Sequence, residues 1–212
     1  MKKNYEMDMC SGPILGKLLT FTIPLIFSGI LQLLFNAADV IVVGRFAGSQ
    51  SLAAVGSTTA LINLMINIFI GLSVGVNVIV ARYYGAKREK DVQDTIHTAM
   101  ALSIVSGLFL IILGQLLSRP MLELMGTPDD VIDKSTIYMR IIFIGMPANM
   151  IYNFGSAILR AVGDTKRPLY FLTAAGVINV VLNLFFVIMF RMDVAGVSLA
   201  TAISPAISAF LV

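Results

Sequence analysis

Only 13% of the 212 residues are charged and 58% are hydrophobic, with a mean hydropathy of +0.90, whereas a soluble domain carries about 25% charged residues, so a soluble fold is excluded. The net charge of +3 invites a nucleic-acid partner, but the basic residues sit at the ends of apolar runs, where they set membrane topology, and nucleic acid is set aside. One Cys and one His cannot build a disulfide framework or a zinc centre, and no Gly-rich loop ends in Gly-Lys-Ser or Gly-Lys-Thr, so no catalytic site, resident metal, cofactor or nucleotide hydrolysis is expected.

At about 20 apolar residues per crossing the composition allows roughly six spans. Residues 1–13 form a polar amino-terminal segment carrying Lys2 and Lys3, and the first apolar run follows from Ile14 to Val43. It is too long for a signal-peptide core and is read as a retained helix. The second run extends from Leu52 to Ala81 and stops at Arg82, and the third from Ile96 to Leu117, where Ser118-Arg119-Pro120 is expected to end it. The fourth is expected over Ile137 to Leu159, the fifth over Leu169 to Phe190, and the sixth from Val194. That last run is still apolar at Val212, so residues 14–212 are expected to be a six-helix bundle interrupted within its last helix, a fragment of something longer. The fold class is therefore all-α and integral to the membrane, since only bundled helices or closed barrels satisfy backbone groups in lipid. Gly71 and Gly75 have the spacing of a close helix–helix contact.

If the amino terminus is cytoplasmic, the basic residues Lys2, Lys3, Lys17, Arg82, Lys87, Arg88, Lys90, Arg160, Lys166 and Arg167 fall inside. Arg45, Arg119, Lys134, Arg140 and Arg191 fall outside. The excess satisfies the positive-inside rule, so the chain is expected to be a multi-pass protein of the inner, cytoplasmic membrane with residues 1–13 in the cytoplasm.

Asp39 is the acidic residue inside an apolar run. A carboxylate in lipid is expensive and by default faces a cavity or a partner, which suggests an ion path. The alternative is an interfacial position, because Asp39 lies roughly 31 Å along a straight helix counted from Leu18. Pro24 in the same run implies a bend. In the fifth run Asn179 and Asn183 are four residues apart and share a face. They can coordinate a cation, hydrogen-bond a substrate, relay to a carboxylate through water, or join helices. Gln32, Asn36, Asn149 and Asn153, with Asn63, Asn67 and Asn77, extend the series. So many intramembrane amides point to a polar, water-filled cavity.

Three segments then carry a resemblance: Asn36-Ala-Ala-Asp39-Val-Ile-Val-Val-Gly44-Arg45, Ser51-Leu-Ala-Ala-Val-Gly56 and Leu159-Arg-Ala-Val-Gly-Asp-Thr-Lys-Arg-Pro168. In this order they resemble the multidrug and toxic compound extrusion family, the MATE transporters. The resemblance implies an antiporter exporting organic cations and amphipathic drugs against inward H⁺ or Na⁺. It also implies two six-helix lobes, of which this chain would be the first, with a carboxy-terminal lobe as its missing partner. By the same resemblance Asp39, Asn179 and Asn183 would couple the cation, with Na⁺ as a candidate ligand near Asp39, and Pro24 would be the bending point. Asn183 departs from relatives that carry an acid there, and an amide cannot exchange a proton. The alternatives are a lipid-linked oligosaccharide flippase of the same superfamily and a non-transporting membrane scaffold. No Arg or Lys lies deep in an apolar run to hold a pyrophosphate, which favours the exporter. An enzyme is not expected.

Overall fold

The structure is a computed structural model that describes Met7, Gly12 and residues 14–212. Lys2, Lys3 and most of the expected cytoplasmic segment 1–13 lie outside the described residues.

Long runs of Leu, Ile, Val and Ala leave the backbone no polar neighbour but itself, and every element is helical. They are α1 (Ile14–Val42), α2 (Ser49–Gly85), α3 (Glu89–Leu124), α4 (Asp129–Ile144), α5 (Met146–Ala161), α6 (Lys166–Leu184) and α7 (Asp193–Leu211). One π-helical turn follows α1 at Val43–Ala47 and another follows α6 at Phe185–Met189. Five of these segments are long and apolar enough to cross a membrane singly, and α4 with α5 makes a sixth span, bent by 49°. The protein is a multi-pass membrane protein whose side-chain distribution inverts that of a soluble one: Leu33, Leu116 and Phe210 are among many large apolar residues on its outside. The inside holds a ribbon of Ser, Thr and Asn beside the aliphatic core.

Two sequence expectations are corrected. The third helix does not stop at Pro120 but continues to Leu124 with the proline inside it. Pro120 removes one donor, yet Leu122 is fully buried and Arg119 is paired with Glu123 at 3.0 Å and Asp133 at 3.2 Å, contacts made within and across the last turn. The fourth span begins at Asp129, not Ile137, and is not one helix. Asp129 and Asp130 occupy its first turn, where carboxylates complement the helix dipole, and Val131, Ile132, Ser135 and Thr136 are buried. The helix breaks at Gly145, just before Pro147, whose missing N–H cannot bridge the two halves.

Glycines set the close approaches. A Cβ on Gly145 would meet the backbone of Ala202 on α7, and one on Gly176 of α6 would overlap the Phe35 ring of α1. The packing expected at Gly71 and Gly75 is absent: both are exposed, with open space where a Cβ would be. Contacts run from α1 to α6, α6 to α7, and α7 to the α4–α5 pair, which α2 and α3 flank.

Candidate functional site

Asp39 sits three residues before the end of α1, and α1 runs as one helix through the buried Pro24, whose carbonyl accepts a hydrogen bond from Ser28 at 2.9 Å. The α1–α6 contact brings Asp39 against the Asn179/Asn183 face. Asn183 Nδ2 donates to Asp39 Oδ1 and to Asn179 Oδ1 at 3.2 Å, and Asn179 Nδ2 donates to Ser204 Oγ of α7 at 3.3 Å. Thr201, one turn before Ser204, lines the same cavity as Asp39, with its hydroxyl donating to the Val197 carbonyl at 2.9 Å. A chain of polar groups therefore ties α1, α6 and α7 together at one depth. Asn183 is fully buried, and its Oδ1 has no hydrogen-bond partner among the described residues.

Asp39 faces a cavity of about 250 Å³ walled by α1, α2, the α4–α5 break and α7. Its polar lining is Asn36, Asp39, Thr59, Asn63, Tyr138, Asn149 and Thr201, with Val55, Ile62, Met146 and Pro205 among the apolar part. Among the described residues Asp39 is the acidic member of this lining, and no Lys, Arg or His belongs to it. Among the described residues no group of three or more His, Cys, Asp and Glu forms a metal cluster.

The structure thus brings Asp39, Asn179 and Asn183 together and places Asn36 and Asn149 on the cavity wall. Gln32 is exposed and outside that wall, and Asn153 lies one turn behind Asn149, donating from Nδ2 to its carbonyl at 2.9 Å and its Oδ1 at 2.8 Å. Asn77 does not join the cavity: its Nδ2 donates to the Ala157 carbonyl at 2.7 Å and fastens α2 to α5. Asn67 also lies outside the wall. Sequence reasoning passed over Thr201, Ser204 and Tyr138. The signal for the first two was the hydroxyl series Ser198, Thr201, Ser204, Ser208, whose three- and four-residue steps draw a polar stripe along α7.

The Leu159–Pro168 segment has a separate, local job. Gly163 adopts φ +88°, a left-handed conformation that glycine takes without strain. The turn delivers the buried Asp164 to the start of α6, where Oδ1 accepts from the backbone N–H of Lys166 at 3.1 Å and Arg167 at 3.0 Å. Its other oxygen faces the Arg167 guanidinium at 3.0 Å. Asp164 satisfies two of the helix's free donors, as a cap does.

The MatE family profile matches residues 24–185. "Probable multidrug resistance protein YoeA" of Bacillus subtilis (strain 168) is 35% identical over 196 residues, which are 91% of this chain and 42% of that protein. The "FAD transporter" of Shewanella oneidensis is 28% identical over 201 residues, 92% of this chain and 44% of that protein. A crystal structure of MATE in the bent conformation superposes with a TM-score of 0.90 at 25% identity, over all of this chain and 46% of the other. The chain spans less than half the length of the curated relatives it matches.

Proposed function

We propose, from the premise that this chain belongs to the MATE family, that it forms the amino-terminal lobe of a cation-coupled exporter of organic cations and amphipathic drugs. The observation that carries the reading is the hydrogen-bonded set Asp39–Asn183–Asn179–Ser204, opening through Asp39 onto a cavity that lacks any basic residue. A lone carboxylate among neutral amides, hydroxyls and apolar walls attracts an organic cation and gives its flat or aliphatic parts somewhere to lie.

Coupling is competition for that carboxylate. A proton or Na⁺ taken up by Asp39 cancels its attraction for the substrate. It also changes the bond to Asn183 that fastens α1 to α6. Na⁺ would be held by the Asp39 carboxylate with Asn183 Oδ1, a buried carbonyl oxygen without a hydrogen-bond partner among the described residues, and Thr201; such hard oxygen donors suit it. A proton would reside on Asp39 alone, because an amide at position 183 does not titrate. Release of the Asp39–Asn183 bond frees α1 to bend at Pro24. A second lobe supplies the opposing wall, and the two rock about the cavity between inward- and outward-open states. The membrane is the cytoplasmic membrane, with the amino terminus inside. The absence of a cationic ring in the cavity disfavours the lipid-linked oligosaccharide flippase.

Asp39→Asn keeps the shape and loses the charge. In gradient-loaded vesicles holding the whole transporter, it is expected to abolish H⁺- or Na⁺-driven efflux of a fluorescent organic cation at normal expression. Efflux at the wild-type rate would remove Asp39 from the coupling step.

A further inference from the structure

Of the amides on the cavity wall, Asn149 has its orientation fixed by a neighbour. Asn153 lies four residues on, the next position on the same face of α5. Its Nδ2 donates to the Asn149 backbone carbonyl at 2.9 Å and to Asn149 Oδ1 at 2.8 Å. A backbone carbonyl only accepts, so the end of Asn153 directed at it must be the NH₂ group. The atom of Asn149 that meets the same NH₂ must then be oxygen, since two NH₂ groups would face donor to donor. Asn149 Nδ2 is left with no acceptor among the described residues, on a side chain that lines the cavity. Asp39 reaches the same cavity from α1 as an acceptor.

We propose that Asn153 is a specificity-determining positioning residue that fixes Asn149 as a hydrogen-bond donor, so that the cavity selects organic cations carrying a hydrogen-bond acceptor, such as a carbonyl, apart from the charged centre. This rests on the reading of the cavity as a cation site and adds a second point of recognition. The charge goes to Asp39 and the acceptor to Asn149 Nδ2. A cation without an acceptor binds by charge and apolar contact alone and leaves that donor unpaired.

Two probes test it: tetraphenylphosphonium, which has no hydrogen-bonding group, and the same cation bearing one para-acetamide. Equilibrium binding of each to the whole transporter in lipid nanodiscs yields a ratio of affinities that cancels general losses of folding or charge. In the wild type the acetamide probe is expected to bind more tightly by about three- to tenfold. Asn153→Asp cannot donate to Asn149, so the amide turns its NH₂ toward Asp at 153 and its oxygen toward the cavity, and the ratio is expected to fall to one or below. Asn153→Leu, a second variant without the added charge, lets Asn149 turn either end to the cavity and is expected to give a ratio between those of the wild type and Asn153→Asp. A damaged helix would weaken both probes together and leave the ratio in place. Binding of both probes with a wild-type ratio near one, or a preference undiminished in Asn153→Asp, would overturn the assignment of Asn153 while leaving the cation site standing. Failure of both probes to bind the wild type would overturn the cation reading and this proposal with it.

Discussion

Asp39 sits in an apolar helix because something else offsets its desolvation, and Asn183 is the nearest candidate: fully buried, one of its two donor hydrogens on the carboxylate and the other on Asn179. Removing that donor leaves the charge but loosens its place. Asn183→Ala is therefore expected to slow coupled efflux by about ten- to a hundredfold, against outright loss for Asp39→Asn, because one hydrogen bond to a charged group is worth roughly 1.5–3 kcal/mol. Initial rates at matched expression check it, and a loss as complete as in Asp39→Asn would make Asn183 an equal partner in coupling. At the other end of α6, Asp164 is buried and serves two backbone donors. Asp164→Ala is expected to cost about 1–2 kcal/mol of stability, within the range of a lost cap. It should be read as a lower denaturation midpoint in detergent, and an unchanged midpoint would show that solvent replaces the carboxylate.

Among the elements, α1 stands apart, since α6 is its main helical partner. The pairing depends on the bare surface of Gly176, over which the Phe35 ring lies. Gly176→Val would push that ring outward and is expected to cost about 1–3 kcal/mol, the usual range for overpacking. Gly71→Val, at an exposed helix position with open space around it, should leave the thermal midpoint near the wild type. Equal effects at the two sites would mean that α1 does not lean on α6 as described. The break at Gly145 matters in another way. Eleven residues are about three helical turns, so Tyr138 and Asn149 share nearly one face, and both line the cavity wall across the 49° bend.

For the whole molecule, alternation of the spans puts the α2–α3 and α5–α6 turns on one side and the α3–α4 loop on the other. By the positive-inside rule the first side is expected to be the cytoplasmic one. With Cys10 replaced by Ser, a cysteine introduced at Thr127 is expected to react with an impermeant maleimide in intact cells, and one at Lys87 only after permeabilisation. The opposite pattern would reverse the orientation. The cavity is walled by α1, α2, the α4–α5 pair and α7, and alternating access needs a second body to move against them. The 212 residues reconstituted alone are expected to insert without gradient-driven transport. Saturable, gradient-dependent uptake above empty vesicles would point to a transporter built from two copies.

Fold class, the number of spans and their order were legible in the sequence, because a helix in lipid satisfies its own backbone and needs only length and apolarity to be recognised. The same logic exposed Asp39, Asn179 and Asn183, polar residues that lipid penalises wherever they lie. Helix ends were less legible, as Pro120 shows: whether a proline stops a helix depends on what the next turn buries, and Leu122 is placed by contacts from other elements. Tertiary structure alone decided how the amides divide their labour. Asn77 fastens α2 to α5, Asn149 faces the cavity, and Asn153 stands behind it. It also decided that Asn183 meets Asp39 across a separation of 144 residues. Such pairings depend on which helix faces which, and that is fixed by the fit of small residues such as Gly176 and Gly145 against distant partners, a complementarity that leaves no period in either strand of sequence.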